Sequence, residues 1–290
     1  MFRPKLVLVA AAALAATAVA AKPPAKPKPA APVAAPAAPG PADWRTPDPN
    51  DVLVIDTSKG RIIVEMVPEV APSHVVRVRE LARAGFYDKL TFFRVIDGFM
   101  DQTGDPQNTG EGSSTKPDLA AEFTIRLSPG AMALAADQGV AETGFIKALP
   151  MISQSSMLAA MTADGKVQAW AAYCPGVAAM ARGSEPDSAN SQFFLMRARY
   201  PALEKRYTPW GRVLSGLDVV RAIKQGEPVA PPQDRMDRVR VLADIPAAER
   251  PKVRVIDPKG AWFKAEIERV RRARGADFTA CDIDIPVEVK

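Results

Sequence analysis

Beyond its first fifty residues this chain opens on two largely apolar runs, Val52-Leu-Val-Ile-Asp56 and Arg61-Ile-Ile-Val-Glu-Met66, on either side of Thr-Ser-Lys-Gly. Short β-branched runs around a turn with a glycine predict a β-hairpin, Gly60 supplying the positive φ that a tight turn needs. Pro68 and Pro72 break the pattern, and beyond them the apolar spacing changes to three and four. Val75, Val78, Leu81 and Ala82 then share one face, which predicts a helix from Pro72 to Ala84, stopped by Gly85. From Phe92 to Asp105 two short extended runs flank Asp97-Gly98. Side chains two apart on a strand share a face, so Phe92, Arg94 and Ile96 are expected to point one way and Met100 and Gln102 together on the return run. Further on, the spacing predicts a helix over Leu217 to Gln225 and a strand over Arg235 to Leu242. A strand over Lys252 to Ile256 follows, then an amphipathic helix from Trp262 to Arg274 with Phe263, Ile267 and Val270 on one face and Gly275 as its stop. Ile283 to Val289 reads as a last strand.

The N-terminus follows another logic. Arg3 and Lys5 precede an apolar run from Leu6 to Ala16 and small residues up to Ala21. This is the pattern of a cleaved secretory signal peptide over residues 1–20, and it makes the periplasm the expected address. The run is too short and alanine-rich for a stable membrane span, and no cysteine follows it to carry a lipid. Residues 21–50 hold ten prolines among alanines and lysines, a composition that predicts a solvated tether, with the folded domain starting near Asp51. The net charge is +5 over 290 residues. Its excess comes from five cations within residues 1–40; the rest of the chain balances 33 cations against 33 acids. A nucleic-acid partner is therefore not expected.

The chemistry-bearing residues are few. His74 is the only histidine, and its place in the first turn of a helix reads as a surface or packing residue. Histidine-based nucleophilic triads and histidine-rich metal sites would all need this one side chain. No Cys-x-x-Cys and no phosphate-binding glycine loop occurs. Cys174 and Cys281 are the only cysteines. In an oxidising compartment they are expected to pair; two buried thiols are the alternative.

Three separated blocks carry a resemblance. Phe92-Phe-Arg-Val-Ile-Asp-Gly-Phe-Met-Asp-Gln-Thr-Gly-Asp105 resembles the signature of the cyclophilin family of peptidyl-prolyl isomerases. Met180-Ala-Arg182 followed by Asp187-Ser-Ala-Asn-Ser-Gln-Phe-Phe194 resembles its second core motif. Leu203 to Gly211 with Leu217-Asp-Val-Val-Arg-Ala-Ile223 is similar to its last barrel strand and second helix. The resemblance covers most of residues 51–243. It implies a mainly β fold, a closed barrel of eight antiparallel strands capped by the two helices at Pro72 and Leu217. It also implies catalysis of rotation about X-Pro bonds, with Arg94 as the catalytic group. Phe99, Met100, Phe194 and Leu203 match the proline pocket, Gln102 the substrate-backbone contact, and Ala181, Arg182 and Gln192 the contacts to residues before proline. Tyr207 stands where many members have a histidine. Other departures are Phe93 for a histidine, Arg182 for an asparagine, and Ala202 where some members carry a tryptophan. No cofactor or metal is implied, and the expected partners are proline-containing unfolded or extended polypeptides bound by a monomer.

Two stretches lie outside that pattern. Residues 127–173 read as an alanine- and methionine-rich insertion with a turn at Ala163-Asp-Gly165, packed on the barrel wall or roofing the groove. Residues 244–290 form an extension too short to fold alone, expected to dock on the barrel or the insertion. If the insertion roofs the groove, a weakly catalytic peptide-binding chaperone is the alternative to an exported foldase.

Overall fold

The computed structural model describes residues 37–290; the leader and the first part of the tether lie outside the described residues. In chain order the strands are β1 (Trp44–Arg45), β2 (Val52–Thr57), β3 (Gly60–Met66), β4 (Arg94–Ile96), β5 (Met100–Thr103), β6 (Ile125–Leu127), β7 (Ala133–Asp137) and β8 (Ala141–Ile146). They continue as β9 (Leu149–Gln154), β10 (Val167–Ala171), β11 (Val177–Met180), β12 (Phe193–Met196), β13 (Pro209–Ser215), β14 (Met236–Val241), β15 (Val253–Ile256) and β16 (Val287–Val289). The helices are α1 (Pro72–Arg83), α2 (Leu217–Ala222) and α3 (Ala261–Arg274).

Eight strands make one antiparallel sheet in the order β14-β2-β3-β13-β11-β12-β5-β4. Its two edges meet without a full ladder: Thr91 bridges Arg235, Val95 bridges Gly226, and the Lys89 and Phe92 amides donate to the carbonyls of Met236 and Asp234. The barrel strands β2, β3 and β12 are apolar on both faces because both their faces are covered, whereas β14 carries Asp237, Arg238 and Arg240. On β12, Phe193 and Leu195 point into the interior with Trp210, while Phe194 and Met196 point outward into a second cluster. Inside, Tyr87 and Trp210 both meet Phe193 edge-on, with ring centroids 5.4 and 5.5 Å apart. Val75, Val78, Leu81 and Ala82 of α1 and Val220 of α2 seal this interior.

Two details differ from the sequence pattern. Phe92 lies in the interior cluster and not beside Arg94, because β4 starts only at Arg94 and the alternation does not reach back to Phe92. The second helix stops at Ala222, short of Gln225. Buried Arg197 donates to the carbonyls of Val220, Arg221 and Ile223, so the helix end is satisfied by a side chain and needs no further turn. The same guanidinium pairs with buried Asp101 at 2.9 Å.

The insertion supplies β7 to β10 of a five-stranded antiparallel sheet, β6-β10-β9-β8-β7, whose strand β6 runs into it at Leu127; its alanine-rich sequence does not announce these strands. The extension docks on both neighbours. Phe263, Ile267 and Val270 of α3 pack on Ala133, Ala135, Ala136 and Phe145 of the insertion, Phe145 and Phe263 meeting edge-on at 5.2 Å. Val253 and Val255 pack on Val52, Val54 and Ile63 of the barrel's outer face. The final strand is confined to Val287–Val289. Within the stretch whose composition reads as tether, Trp44 and Arg45 pair with Ile256 and Val255, completing a sheet of order β1-β15-β16. Arg45 also reaches Glu65, 1% exposed on β3, with Nη2 2.7 Å from Oε2. A disulfide joins Cys174 to Cys281, Cα atoms 5.1 Å apart. Among the described residues no helix is long and apolar enough to cross a membrane.

Candidate active site

Strand register assembles the site. Arg94 lies opposite Gln102 across the β4–β5 pair, and Gln102 lies opposite Phe194 across β5–β12. Directly opposed residues share a face, so the cation, the amide and the phenyl ring form one row on the barrel's outer surface. Met100 joins them two residues before Gln102. Phe99 comes from the β4–β5 turn, Leu203 and Tyr207 from the loop after β12, and Ala181 and Arg182 from the end of β11. Together these nine line a recess of about 120 Å³. Its floor is rigid: Phe194 meets Tyr207 edge-on at 5.8 Å, and Phe99 packs on Tyr200 at 4.4 Å.

A chain of hydrogen bonds orients the polar groups. The carbonyls of Gly110 and Gly112 both accept from Gln192 Nε2 at 2.8 Å, which turns Gln192 Oε1 toward Gln102. Gln102 Nε2 donates to that oxygen at 2.9 Å, which turns Gln102 Oε1 toward Arg94, and Arg94 Nη1 donates to it at 3.2 Å. Two backbone carbonyls thus dictate the orientation of both amides. Their loop is organised by buried Asp105, which accepts from the amides of Gln107, Thr109, Gly110 and Gly112. Burial alone pushes its carboxyl up, but the four amide donors outweigh it and the net shift is downward. Gly104 brings the loop in with φ +89°; a Cβ there would come within 2.5 Å of the Ser191 carbonyl oxygen.

Gln192, the tenth residue singled out in the sequence, lines an adjoining recess of about 350 Å³ that shares Gln102, Ala181 and Arg182 with the first. Arg182 lies over the Tyr207 ring at 4.7 Å and the Phe123 ring at 5.6 Å, and its Nε donates to the Arg206 carbonyl. No residue of the insertion lines either recess. The insertion instead backs the site: Leu149, Met151, Ala169 and Tyr173 share a buried cluster with Met100, Phe194 and Leu203, and the Tyr173 hydroxyl donates to the Tyr207 carbonyl at 2.8 Å. A roof over the groove is therefore not its arrangement.

His74 is fully buried, its Nδ1 2.7 Å from Glu122 Oε2, and is not a surface residue. Glu122 also accepts the Ser73 and His74 amides at the start of α1, where a carboxylate suits the helix dipole. Burial raises the Glu122 carboxyl, but His74 and these amides bring it below its ordinary range. Among the described residues no group of three His, Cys, Asp or Glu side chains could hold a metal.

Residue-by-residue reading missed Glu227, whose Oε1 accepts from Arg94 Nε at 2.6 Å, and the rim rings of Phe123 and Tyr200. Nothing in the local sequence marks Glu227, since its partner is 133 positions away; the rim rings lie outside the three motif blocks.

A family model described as cyclophilin type peptidyl-prolyl cis-trans isomerase/CLD matches residues 52–243. A Brucella suis protein named probable peptidyl-prolyl cis-trans isomerase is 32% identical over 190 residues, covering 62% of this chain and 74% of that protein. Peptidyl-prolyl cis-trans isomerase-like 1 of Aspergillus fumigatus is 30% identical over 191 residues, covering 66% and 91%. The crystal structure of cyclophilin AquaCyp293 from Hirschia baltica aligns with a TM-score of 0.79 at 33% identity, covering 86% of this chain and 94% of that one. That coverage exceeds the family segment, so the likeness extends beyond the barrel.

Proposed function

This chain belongs to the cyclophilin family of peptidyl-prolyl cis-trans isomerases, and from that premise we propose that the recess beside Arg94 is where it binds proline and catalyses rotation of the preceding bond. Rotation is slow because twisting destroys amide resonance, a barrier of about 18–20 kcal/mol. At the twisted transition state the prolyl nitrogen recovers its lone pair. A donor aimed at that nitrogen stabilises the twisted form over either planar ground state, so it speeds exchange in both directions. Arg94 is that donor; no proton transfer and no covalent intermediate is required.

The remaining residues hold the substrate. Phe99, Met100, Phe194 and Leu203 grip the pyrrolidine ring while the preceding carbonyl swings, and the limited freedom of a rigid floor keeps the nitrogen within reach of the guanidinium. Gln102 bonds the substrate backbone. The adjoining recess with Ala181, Arg182 and Gln192 receives the residues before proline. The observation that carries this reading is the outward row of Arg94, Gln102 and Phe194, held in register across three adjacent strands over an apolar floor.

The clients we propose are unfolded or extended proline-containing chains of the cell envelope. The leader supports export to the periplasm, and the Cys174–Cys281 bridge suits an oxidising compartment. The test is the cis/trans exchange rate of a short X-Pro peptide with the purified protein and with Arg94→Ala. Removing an electrostatic donor of this kind is expected to lower kcat/KM on the order of a hundredfold. Full activity in the variant, or no acceleration by folded wild-type protein, would sink the proposal.

A further inference from the structure

Arg94 is held from two sides, and only one of them belongs to the groove residues described so far. Gln102 takes Nη1. On the other side Glu227 takes Nε at 2.6 Å, from a loop far away in sequence. That loop is fixed to the strand that carries Arg94. Gly226 exchanges both backbone hydrogen bonds with Val95, at 2.8 and 2.9 Å, and the Val229 amide donates to the Phe93 carbonyl at 2.8 Å. The two attachments bracket Arg94 in sequence; Glu227 and Pro228 lie between them on the loop, and Glu227 faces Arg94. Gly226 lets the loop turn this tightly: a Cβ there would lie 2.7 Å from Val229 Cα and 2.8 Å from the Pro228 carbonyl oxygen.

Given the isomerase reading, on which this inference rests, we propose that Glu227 is a positioning residue for Arg94. An arginine side chain on a half-exposed strand has many rotamers, and a donor that must meet a transient lone pair gains from being held in one of them. Glu227 engages the inner Nε–H and Gln102 engages Nη1. The guanidinium plane is thereby set, while Nη2 makes no hydrogen bond to protein among the described residues and is left for substrate. A carboxylate suits the task because its bond to Nε is charge-assisted and directional. The pair is exposed, Arg94 at 35% and Glu227 at 57%, so it adds little to folding stability. Its effect belongs to the geometry of the donor.

The test compares wild type, Glu227→Gln and Glu227→Ala by exchange kinetics on an X-Pro peptide, thermal unfolding, and the nitrogen-15 NMR signal of the Arg94 Nε–H. The expected result is a kcat about tenfold lower in Glu227→Ala, with a smaller loss in Glu227→Gln and KM within about twofold of wild type, as for an interaction realised in the transition state. The unfolding midpoint stays in place, and the Arg94 Nε–H signal moves and exchanges faster with solvent. Wild-type kcat in both variants would overturn the proposal. So would a raised kcat, which would make Glu227 a restraint on Arg94, or a raised KM alone, which would make it a substrate contact. Failure of the isomerase reading looks different: wild-type protein shows the ordered Nε–H signal and accelerates no X-Pro exchange.

Discussion

The barrel and the body built around the insertion reach comparable burial by opposite means. In the barrel the central strands β2, β3 and β12 carry large apolar residues on both faces, as in Phe193 to Met196, where alternate side chains serve the interior and the groove wall. In the second body the sheet offers small residues, Ala133, Ala135 and Ala136, and the bulk comes from elsewhere in the chain, from Phe263 and Ile267 of α3. A strand of alanines has weak preference for the extended state and is held there by what packs on it. The barrel is thus specified largely by its own segments, whereas the second body is specified by the meeting of three distant ones: Trp44–Arg45, the insertion, and the extension. The Cys174–Cys281 bridge ties that meeting together just before β11, the strand that leads into the groove.

If that contrast is right, the largest loss comes from cutting the bridge. The cysteines are 107 residues apart, and for a loop of that length the chain-entropy model gives about 4–5 kcal/mol of stability. Cys174→Ala with Cys281→Ala should lose most of that in urea unfolding, the insertion and extension loosening first in hydrogen exchange. X-Pro exchange by the protein that remains folded should persist, because no lining residue of the groove comes from the second body. Simultaneous, equal loosening of barrel and extension would show that the two are one cooperative unit.

A smaller effect is expected within the barrel from Asp105→Asn. The variant keeps the shape but loses the charge that gathers four amides, bonds typically worth about 1.5–3 kcal/mol when one partner is ionised. Stability should fall by about that range. Activity should fall with it, since the Gly110 and Gly112 carbonyls orient Gln192, and through it Gln102. The sign with pH follows from the lowered carboxyl. The stabilisation is fully present above its ordinary value of 3.8 and is lost as pH falls below that, through the folded-state value. Wild type should therefore lose stability below about pH 4 more steeply than the variant in pH-dependent unfolding. Parallel acid profiles would exclude Asp105 as the loop's charged organiser.

The same contrast explains what the sequence discloses. Arg94, Met100 and Gln102 are legible because they lie within one motif, Met100 and Gln102 two apart on its return run, and Phe194 because it closes the second block that carries the resemblance. The hairpin β2–β3 and α1 are legible because their periodicity is local. Three features are not. Trp44 and Arg45 are surrounded by prolines, and only their partners Ile256, Val255 and Glu65 reveal them as structure. The insertion's edge strand β7 carries alanine where strand-formers are expected. Glu227 reaches Arg94 through a loop whose path depends on backbone bonds to Val95 and Phe93. Each requires a contact between segments that no local pattern encodes.

The smallest predicted effect lies on the seam between the two bodies. Tyr173, 1% exposed at the end of the insertion, donates to the carbonyl of Tyr207 on the recess rim, and its ring lies 6.4 Å from Phe194. Tyr173→Phe keeps the ring and removes the donor, leaving the Tyr207 carbonyl without that partner. The expected cost is about 1 kcal/mol of stability, the usual net worth of one neutral hydrogen bond. If the second body only backs the groove, kcat and KM for an X-Pro peptide should each stay within about twofold of wild type, because the apolar floor is intact. A KM raised about tenfold at unchanged kcat would instead mean that this bond sets the Tyr207 rim, so that the insertion shapes ground-state binding through a single hydroxyl. Steady-state exchange kinetics on peptides that differ only in the residue before proline would separate the two outcomes, since a displaced rim changes discrimination between peptides while an intact floor leaves it as in wild type.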